Sequence, residues 1–310
     1  MRIGVDIGGS KVIVGLLGEE GRVVEKRRIV LERRDYGYVR DRVVEEILRL
    51  AEGRAIKGVG IASAGQIEAG TQRILFSPNL GWQDVNLKAD MEERLRTKVH
   101  VENDVNAATY GEWRFALRGE PKTVIGVYVG TGIGGGMILD GRLYRGSSNV
   151  GAEIGHMILD PMGPRCNCGR RGCFEALCGG SYIVRKVKKR IEEGYRGRIY
   201  EVIEGDLDRL HTGHIEKAFL LGDALCEEVW EEVAFYLGCG LASLVNIFNP
   251  DVLLLGGGVI YGSNLLIDLA LPSFEAYSLP VSAKNVKVLR ATLREDAALM
   301  GASFLLEERD

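Results

Sequence analysis

Residues 3–10 read IGVDIGGS and residues 125–132 read IGVYVGTG. Aligned at an offset of 122, both run Ile-Gly-Val, pass a β-branched residue and arrive at a glycine turn. After each turn an apolar strand returns, KVIVGLL at 11–17 and GMILDGRLY at 136–144. Two strand–turn–strand units heading two halves of the chain predict two domains built on one plan. The length of 310 residues suits two domains with buried cores.

What lies between these units alternates between helical and extended patterns. Helices are expected near 38–52, 88–96 and 105–117, with strands KGVGIAS at 57–63 and KVHVEN at 98–103. In the second half the expected elements are a helix near 180–193, a charged helical stretch at 199–212 and a long helix over 215–247. Val229, Val233, Leu237, Leu241 and Leu244 recur along that last helix at three- and four-residue steps, and Asn249-Pro250 closes it. The following run, DVLLLGGG, reads as a strand buried on both faces. Strands alternating with helices indicate an α/β fold.

Bulk properties narrow the function classes. A net charge of −3 offers no electrostatic reason to expect nucleic acid or an anionic membrane as partner. No apolar run suggests a bilayer span, and a strand beginning at Arg2 leaves no room for a signal peptide, so a cytoplasmic location is the expectation.

Cysteine placement is more informative. Cys178, Cys226 and Cys239 are scattered and read as ordinary thiols, whereas Cys166, Cys168 and Cys173 crowd together downstream of His156. One imidazole and three thiolates make a closed tetrahedral set of the kind that holds a structural zinc ion. Reduced surface thiols at that spacing would otherwise be reactive liabilities.

The glycine loops need context. Gly130-Thr131-Gly132-Ile133-Gly134-Gly135 fits the spacing of a dinucleotide fingerprint, but such a fingerprint opens a helix. Here the chain continues as a hairpin with Asp140-Gly141 at its turn. The alternatives left are a hairpin whose backbone approaches phosphate closely and a tight turn without a ligand. A matching loop at Asp6 to Lys11 and a third at Gly256, Gly257 and Gly258 favour phosphate.

Two further positions carry weight. VHVENDVNAATYGEW, residues 99–113, passes from strand to helix at Glu102-Asn103-Asp104, where helix capping competes with a role at a hydroxyl. A polyol ligand needs fixed carboxylates and amides, and Asn79, Asn103, Asp104, Glu153, His156 and Glu175 are the side chains suited to it.

The motifs DIGGSK, GTGIGGG and LLLGGG resemble the two phosphate loops and the adenosine loop of the actin/hexokinase/Hsp70 ATPase superfamily. Within it, GIASAGQIEAGTQRILFSPNLGW, VENDVNAA, GAEIGH and CNCGRRGCFEA are similar to the ROK family of repressors, open reading frames and sugar kinases. The resemblance spans residues 3–258. It implies two duplicated actin-like (ribonuclease H-like) domains with an interdomain cleft: a small domain over 1–118 and a large one over 119–295 bearing the zinc loop. A C-terminal helix at about 296–310 is expected to pack back on the small domain.

Carried onto this sequence, the resemblance implies an ATP-dependent hexose kinase of glucokinase type, acting on the 6-hydroxyl of glucose. Asp104 would be the general base, and the six polyol-binding side chains would be the hexose positions, with His156 serving both zinc and sugar. ATP would meet Asp6, Gly8, Gly9, Ser10, Lys11, Gly130, Thr131, Gly132, Gly134, Gly256, Gly257 and Gly258, with Asp6 the carboxylate nearest Mg²⁺ and Lys11 either on phosphate or only closing its loop. A homodimer or homotetramer is the expected assembly. The competing readings are an N-acetylhexosamine kinase (N-acetylglucosamine or N-acetylmannosamine), a fructokinase and a non-catalytic sugar-sensing regulator. Gly151-Ala152 stands where ROK fructokinases often carry His-Pro, and a strand at residue 2 or 3 argues against an N-terminal DNA-reading domain.

Overall fold

The computed structural model describes residues 1–262 and 264–307. Its first sheet is built from β1 (Arg2–Ile7), β2 (Lys11–Leu17), β3 (Val23–Val30), β4 (Val59–Ser63) and β8 (Val99–Asn103), in the order β3-β2-β1-β4-β8. β1 pairs antiparallel with β2 and parallel with β4, and β8 continues the parallel side. Ile3, Val5, Ile7, Ile61, Val99 and Val101 are buried, together with Val39, Val43, Ile47 and Leu50 from α1 (Tyr36–Ala51). Between β4 and β8 come a small sheet of β5 (Gln66–Ile67), β6 (Ile74–Ser77) and β7 (Trp82–Val85), which sequence patterning missed, and α2 (Leu87–Leu95). The strands of that sheet are two to four residues long, too short for periodicity to register.

After β8 the chain enters α3 (Asp104–Gly111), which widens into π-helix over Glu112–Ala116. The helix expected over 105–117 is thus present, but its last turn is not α. Next come β9 (Val124–Val129), β10 (Ile133–Leu139) and β11 (Arg142–Tyr144). Asp140 and Gly141 both have positive φ (52° and 74°), the backbone a two-residue hairpin turn requires, so the Asp-Gly reading holds.

The second sheet has the order β11-β10-β9-β12-β13, with β12 (Val252–Gly256) parallel to β13 (Lys287–Arg290). Its order repeats that of the first sheet element for element, which is the duplication that the sequence predicted. The helices that follow β11 are α4 (Phe174–Cys178), α5 (Gly180–Glu192), α6 (Arg198–Val202), α7 (Thr212–Leu220), α8 (Ala224–Phe248), α9 (Gly258–Gly262), α10 (Leu265–Tyr277), α11 (Pro280–Asn285) and α12 (Asp296–Leu305). The last three positions of the helix expected near 296–310 lie outside the described residues.

Two helical expectations need correction. The charged stretch at 199–212 is not one helix: Glu204 and Gly205, at φ 55° and 74°, separate α6 from a 3₁₀ turn at Leu207–Arg209. The helix expected over 215–247 is two, α7 and α8. Gly222 takes φ 76°, and Asp223 then caps α8 by accepting the Cys226 N–H at 3.0 Å. The same carboxylate accepts the Ile199 N–H at 2.9 Å, so a residue that breaks one helix also anchors another.

By length and composition α8, 25 residues long, contains a stretch apolar enough to cross a bilayer, contrary to the sequence expectation. Its packing and its acidic residues Glu227, Glu228, Glu231 and Glu232 instead mark it as a core helix. Leu225, Val229, Val233, Leu237, Leu241 and Leu244 are buried, and the helix packs against α4, α5, α7 and α10.

The chain forms two compact units. One comprises Met1–Val124, Gly136–Ala152 and Ala291–Asp310; the other comprises Ile125–Gly135 and Glu153–Arg290. In the first, α12 lies against β1, β4 and α3. The contact is backbone to backbone: a Cβ on Gly60 would sit 2.0 Å from the Ala302 carbonyl oxygen, and one on Gly301 1.8 Å from that of Ala107.

Candidate active site and metal centre

In the first unit, the strand–helix junction combines two roles that the sequence left in competition. Asn103 is the N-cap of α3: its Oδ1 accepts the N–H groups of Val105 (2.9 Å) and Asn106 (3.0 Å). Its Nδ2 donates to the Gly65 carbonyl at 3.2 Å, so the cap has one amide N–H left for a ligand hydroxyl. Asp104 follows as the first helical residue, a position favourable for an anion, and its Oδ1 accepts the Val105 N–H at 3.0 Å.

Asp6, near the end of β1, feels this junction. Burial, then the neighbouring charge of Asp104, push its carboxyl up to about 7, with Lys11 pulling the other way. Two carboxylates close enough to resist joint ionisation are a natural place for a divalent cation. In the loop itself the Gly8 N–H donates to the Lys11 carbonyl at 3.0 Å, and the exposed Ser10 carbonyl accepts the Leu31 N–H at 3.0 Å. Lys11 Nζ pairs with the Glu295 carboxylate at 3.5 Å. Exposed Asn79 comes close to Gly9: a Cβ there would lie 3.2 Å from the Asn79 carbonyl oxygen. Asp6, Gly8, Gly9, Lys11, Asn79, Asn103 and Asp104 therefore belong to one unit.

The second unit holds the other glycine loops. Gly130 donates to the Gly132 carbonyl at 2.9 Å, closing a narrow turn, and Thr131 accepts the Ser181 N–H at 2.9 Å. Gly180, the first residue of α5, donates to the Gly130 carbonyl at 2.9 Å, which sets that helix start against the loop. The third loop is adjacent: a Cβ on Gly130 would stand 4.0 Å from the Gly258 N. Gly257 has φ 92°, and a Cβ there would meet the Val129 carbonyl at 2.3 Å, so only glycine fits. Glycine loops set against a helix start are a backbone arrangement that lets an anion such as a phosphate chain approach closely.

Glu175 ties this loop to the cysteines. Its Oε2 accepts the Ile133 N–H at 3.0 Å, and Cys166 Sγ lies 3.8 Å from its Oε1. The ligand atoms of His156, Cys166, Cys168 and Cys173 all fall within 4.8 Å of one another. Cys166 Sγ is 3.8 Å from His156 Nδ1, and Cys168 Sγ is 3.6 Å from Cys173 Sγ. Glycines shape the loop that collects them: Gly169 and Gly172 take φ 89° and 64°, and a Cβ on Gly172 would meet the Asp160 carbonyl at 1.4 Å. Burial raises the Cys173 thiol, while hydrogen bonding from Arg170 and the adjacent thiols overcomes burial at Cys168 and lowers it. Glu153 shares this environment: burial, opposed by His156 and reinforced by Glu175, raises its carboxyl.

Two charged residues beside this junction, Glu102 and Arg145, lie outside the site expected from sequence. Glu102 is 1% exposed, yet Arg145 Nε donates to its Oε2 at 2.7 Å. Alternation along Val99-His100-Val101-Glu102 puts the glutamate on the polar face with His100, so strand patterning gave no sign that it is buried and needs a cation.

The model of the ROK family matches residues 2–309. A glucokinase from Thermotoga maritima is 33% identical over 311 residues, covering 99% of this chain and 97% of that protein. The crystal structure of a ROK family glucokinase from Streptomyces griseus, in complex with glucose and AMPPNP, superposes with a TM-score of 0.84 at 34% identity, covering 98% of each chain. A xylose repressor from Bacillus spizizenii is 28% identical, covering 99% of this chain and 77% of its own length.

Proposed function

The chain belongs to the ROK family, and from that premise we propose that it is an ATP-dependent hexose kinase that phosphorylates the 6-hydroxyl of glucose. The observation that carries this reading is the Asn103–Asp104 junction: a capped helix start that presents a carboxylate beside a second carboxylate, Asp6. Phosphoryl transfer is mainly positioning and charge stabilisation, with one group to receive the hydroxyl proton. Asp104 takes that proton, Asn103 donates its remaining N–H to the sugar, and Asn79, Glu153, His156 and Glu175 are the other hexose positions. Asp6 is the carboxylate for Mg²⁺, and the glycine loops receive the nucleotide. Glucokinases with about one third of their residues identical over nearly the whole chain support a sugar kinase.

His156, Cys166, Cys168 and Cys173 fit a structural zinc ion. Tetrahedral zinc with Zn–S bonds of about 2.3 Å requires ligand separations of about 3.8 Å; two contacts, at 3.6 and 3.8 Å, are at that spacing, and all four ligand atoms lie within 4.8 Å of one another. Such an ion supplies folding free energy and fixes the loop that leads into Glu175. Location in the cytoplasm and assembly as a homodimer or homotetramer complete the proposal.

The test is a coupled ADP-release assay across glucose, mannose, glucosamine, N-acetylglucosamine, N-acetylmannosamine and fructose. A kcat/KM for glucose at least tenfold above every other sugar supports the assignment. Preference for an N-acetylated sugar would move it to an N-acetylhexosamine kinase, and no hexose-dependent turnover would overturn it.

A further inference from the structure

Glu102 is a buried carboxylate with both oxygens engaged. Oε1 accepts the Asn103 backbone N–H at 3.0 Å and the Asn106 side-chain amide at 3.2 Å. Oε2 accepts Arg145 Nε at 2.7 Å, with His100 Nε2 at 3.8 Å. His100 is itself oriented from behind, since Gln72 Nε2 pairs with its Nδ1 at 3.0 Å while Gln72 Oε1 accepts the Val101 N–H at 3.0 Å. One oxygen thus grips the chain on either side of Asp104, and the other faces the Arg145 guanidinium and the His100 ring.

A neutral amide oxygen would satisfy the Asn103 and Asn106 donors equally well. What calls for a charge is Arg145. Burial alone would raise the Glu102 carboxyl, but the His100 ring and the Arg145 charge hold it down at about 2. Arg145 is mounted rather than free: its carbonyl accepts the Gly151 N–H at 2.8 Å, closing the loop after β11. Asn149 in the same loop donates to the Ile67 carbonyl at 3.0 Å. An anion this deeply buried is costly without such a partner.

We propose that the Arg145–Glu102 ion pair is the positioning element of the phosphorylation site: Arg145 fixes the Glu102 carboxylate, which holds Asn103 and Asn106 and so aims Asn103 and Asp104 at the sugar. This rests on the sugar-kinase reading for its activity, not for its geometry. Neither residue touches the substrate. Their effect therefore falls on hexose kinetics and leaves nucleotide binding alone.

The experiment compares Arg145→Met, Arg145→Lys, Glu102→Gln and the double variant Glu102→Gln/Arg145→Met in the full chain. Arg145→Met strands a buried anion and is expected to lower kcat/KM for the hexose at least tenfold, with KM for ATP within twofold of wild type. Arg145→Lys should recover part of the loss. The double variant, which leaves no charge unpaired, should exceed Arg145→Met severalfold, because coupled residues depart from multiplicative behaviour. Hydrogen exchange over residues 103–109 should accelerate in Arg145→Met. Folded Arg145→Met with wild-type hexose kinetics, or single losses that simply multiply in the double variant, would overturn the proposal. If Arg145→Met does not fold, Arg145→Lys and the double variant are read in its place, and wild-type kinetics in both overturn it. If the wild type phosphorylates no hexose, the functional reading fails separately and the exchange measurement decides: unchanged protection at 103–109 overturns the positioning role.

Discussion

Glu175 accepts the Ile133 N–H at 3.0 Å, so the glycine hairpin at 130–135 and the cysteine loop share one carboxylate. A Cβ on Gly132 would lie 2.0 Å from that same oxygen, which shows how closely the hairpin is drawn in. Glu175→Ala removes the acceptor and leaves a backbone donor without its partner, a loss of about 1–3 kcal/mol where it is buried. KM should therefore rise for both ATP and hexose, whereas loss of a sugar contact alone would raise only the second. Steady-state kinetics with each substrate varied in turn distinguish the two.

The metal assignment makes a prediction that needs no turnover. Purified protein should carry one zinc ion per chain, and Cys168→Ala should carry less than a tenth of that. A strong chelator should lower the Tm of wild type and leave the variant's unchanged, because the metal's binding free energy is part of folding. Mass spectrometry under native conditions, with and without chelator, reads both. Zinc-free wild type with an unaltered Tm would remove the structural ion.

The sequence made the duplication visible because the repeated residues sit in the central strand of each sheet, where Ile3, Val5, Ile125 and Val127 are all buried. The His156, Cys166, Cys168 and Cys173 cluster was legible because ligand chemistry restricts residue type more than backbone conformation does. The break between α7 and α8 was overridden: the apolar period runs on through Leu221-Gly222-Asp223 and masked a local Gly-Asp stop-and-cap signal, which the demand on Asp223 from Ile199 and Tyr195 reinforces. Arg145 was invisible for a different reason. Its partner is 43 residues away, and nothing local marks an arginine after a hairpin as the counterion of a buried glutamate.

Backbone contact between α12 and the first sheet predicts intolerance at Gly60. Alanine there would place its methyl 2.0 Å from the Ala302 carbonyl oxygen and 2.5 Å from the Ser303 N, and backbone atoms cannot rotate away. Overpacking of this kind costs about 1–3 kcal/mol or more, so Gly60→Ala should lower Tm by several degrees. Gly37→Ala is the control, because a Cβ there meets nothing within 4 Å. Equal Tm values for the two would contradict the close approach of α12.

Glu102 also sets an acid limit on stability. Its carboxyl is held at about 2, below its ordinary value of 4.5. Between those values the unfolded chain binds the proton and the folded chain does not, so stability falls as pH falls. The contribution, on the order of 3 kcal/mol by linkage, is fully present above 4.5 and is lost toward 2. Glu102→Gln has no such proton to bind. Its deficit relative to wild type should be largest at pH 7 and should narrow at pH 3, as read by chemical denaturation at both. A gap that stays constant would mean that Glu102 is not held as an anion.

The most direct prediction concerns Asp104. Replacing it with asparagine keeps size and shape, and the amide oxygen can still accept the Val105 N–H that Oδ1 takes at 3.0 Å. Asn103 therefore keeps its cap, and the helix start keeps its geometry. The amide cannot receive a proton. A positioned base contributes about 10²–10⁴-fold, so kcat should fall by that range while the hexose dissociation constant, measured calorimetrically, changes by less than about fivefold. A fall in kcat of less than about tenfold would mean that another group, or solvent, takes the proton. A large loss of affinity with kcat preserved would instead make Asp104 a binding residue. The split between the two constants identifies its role.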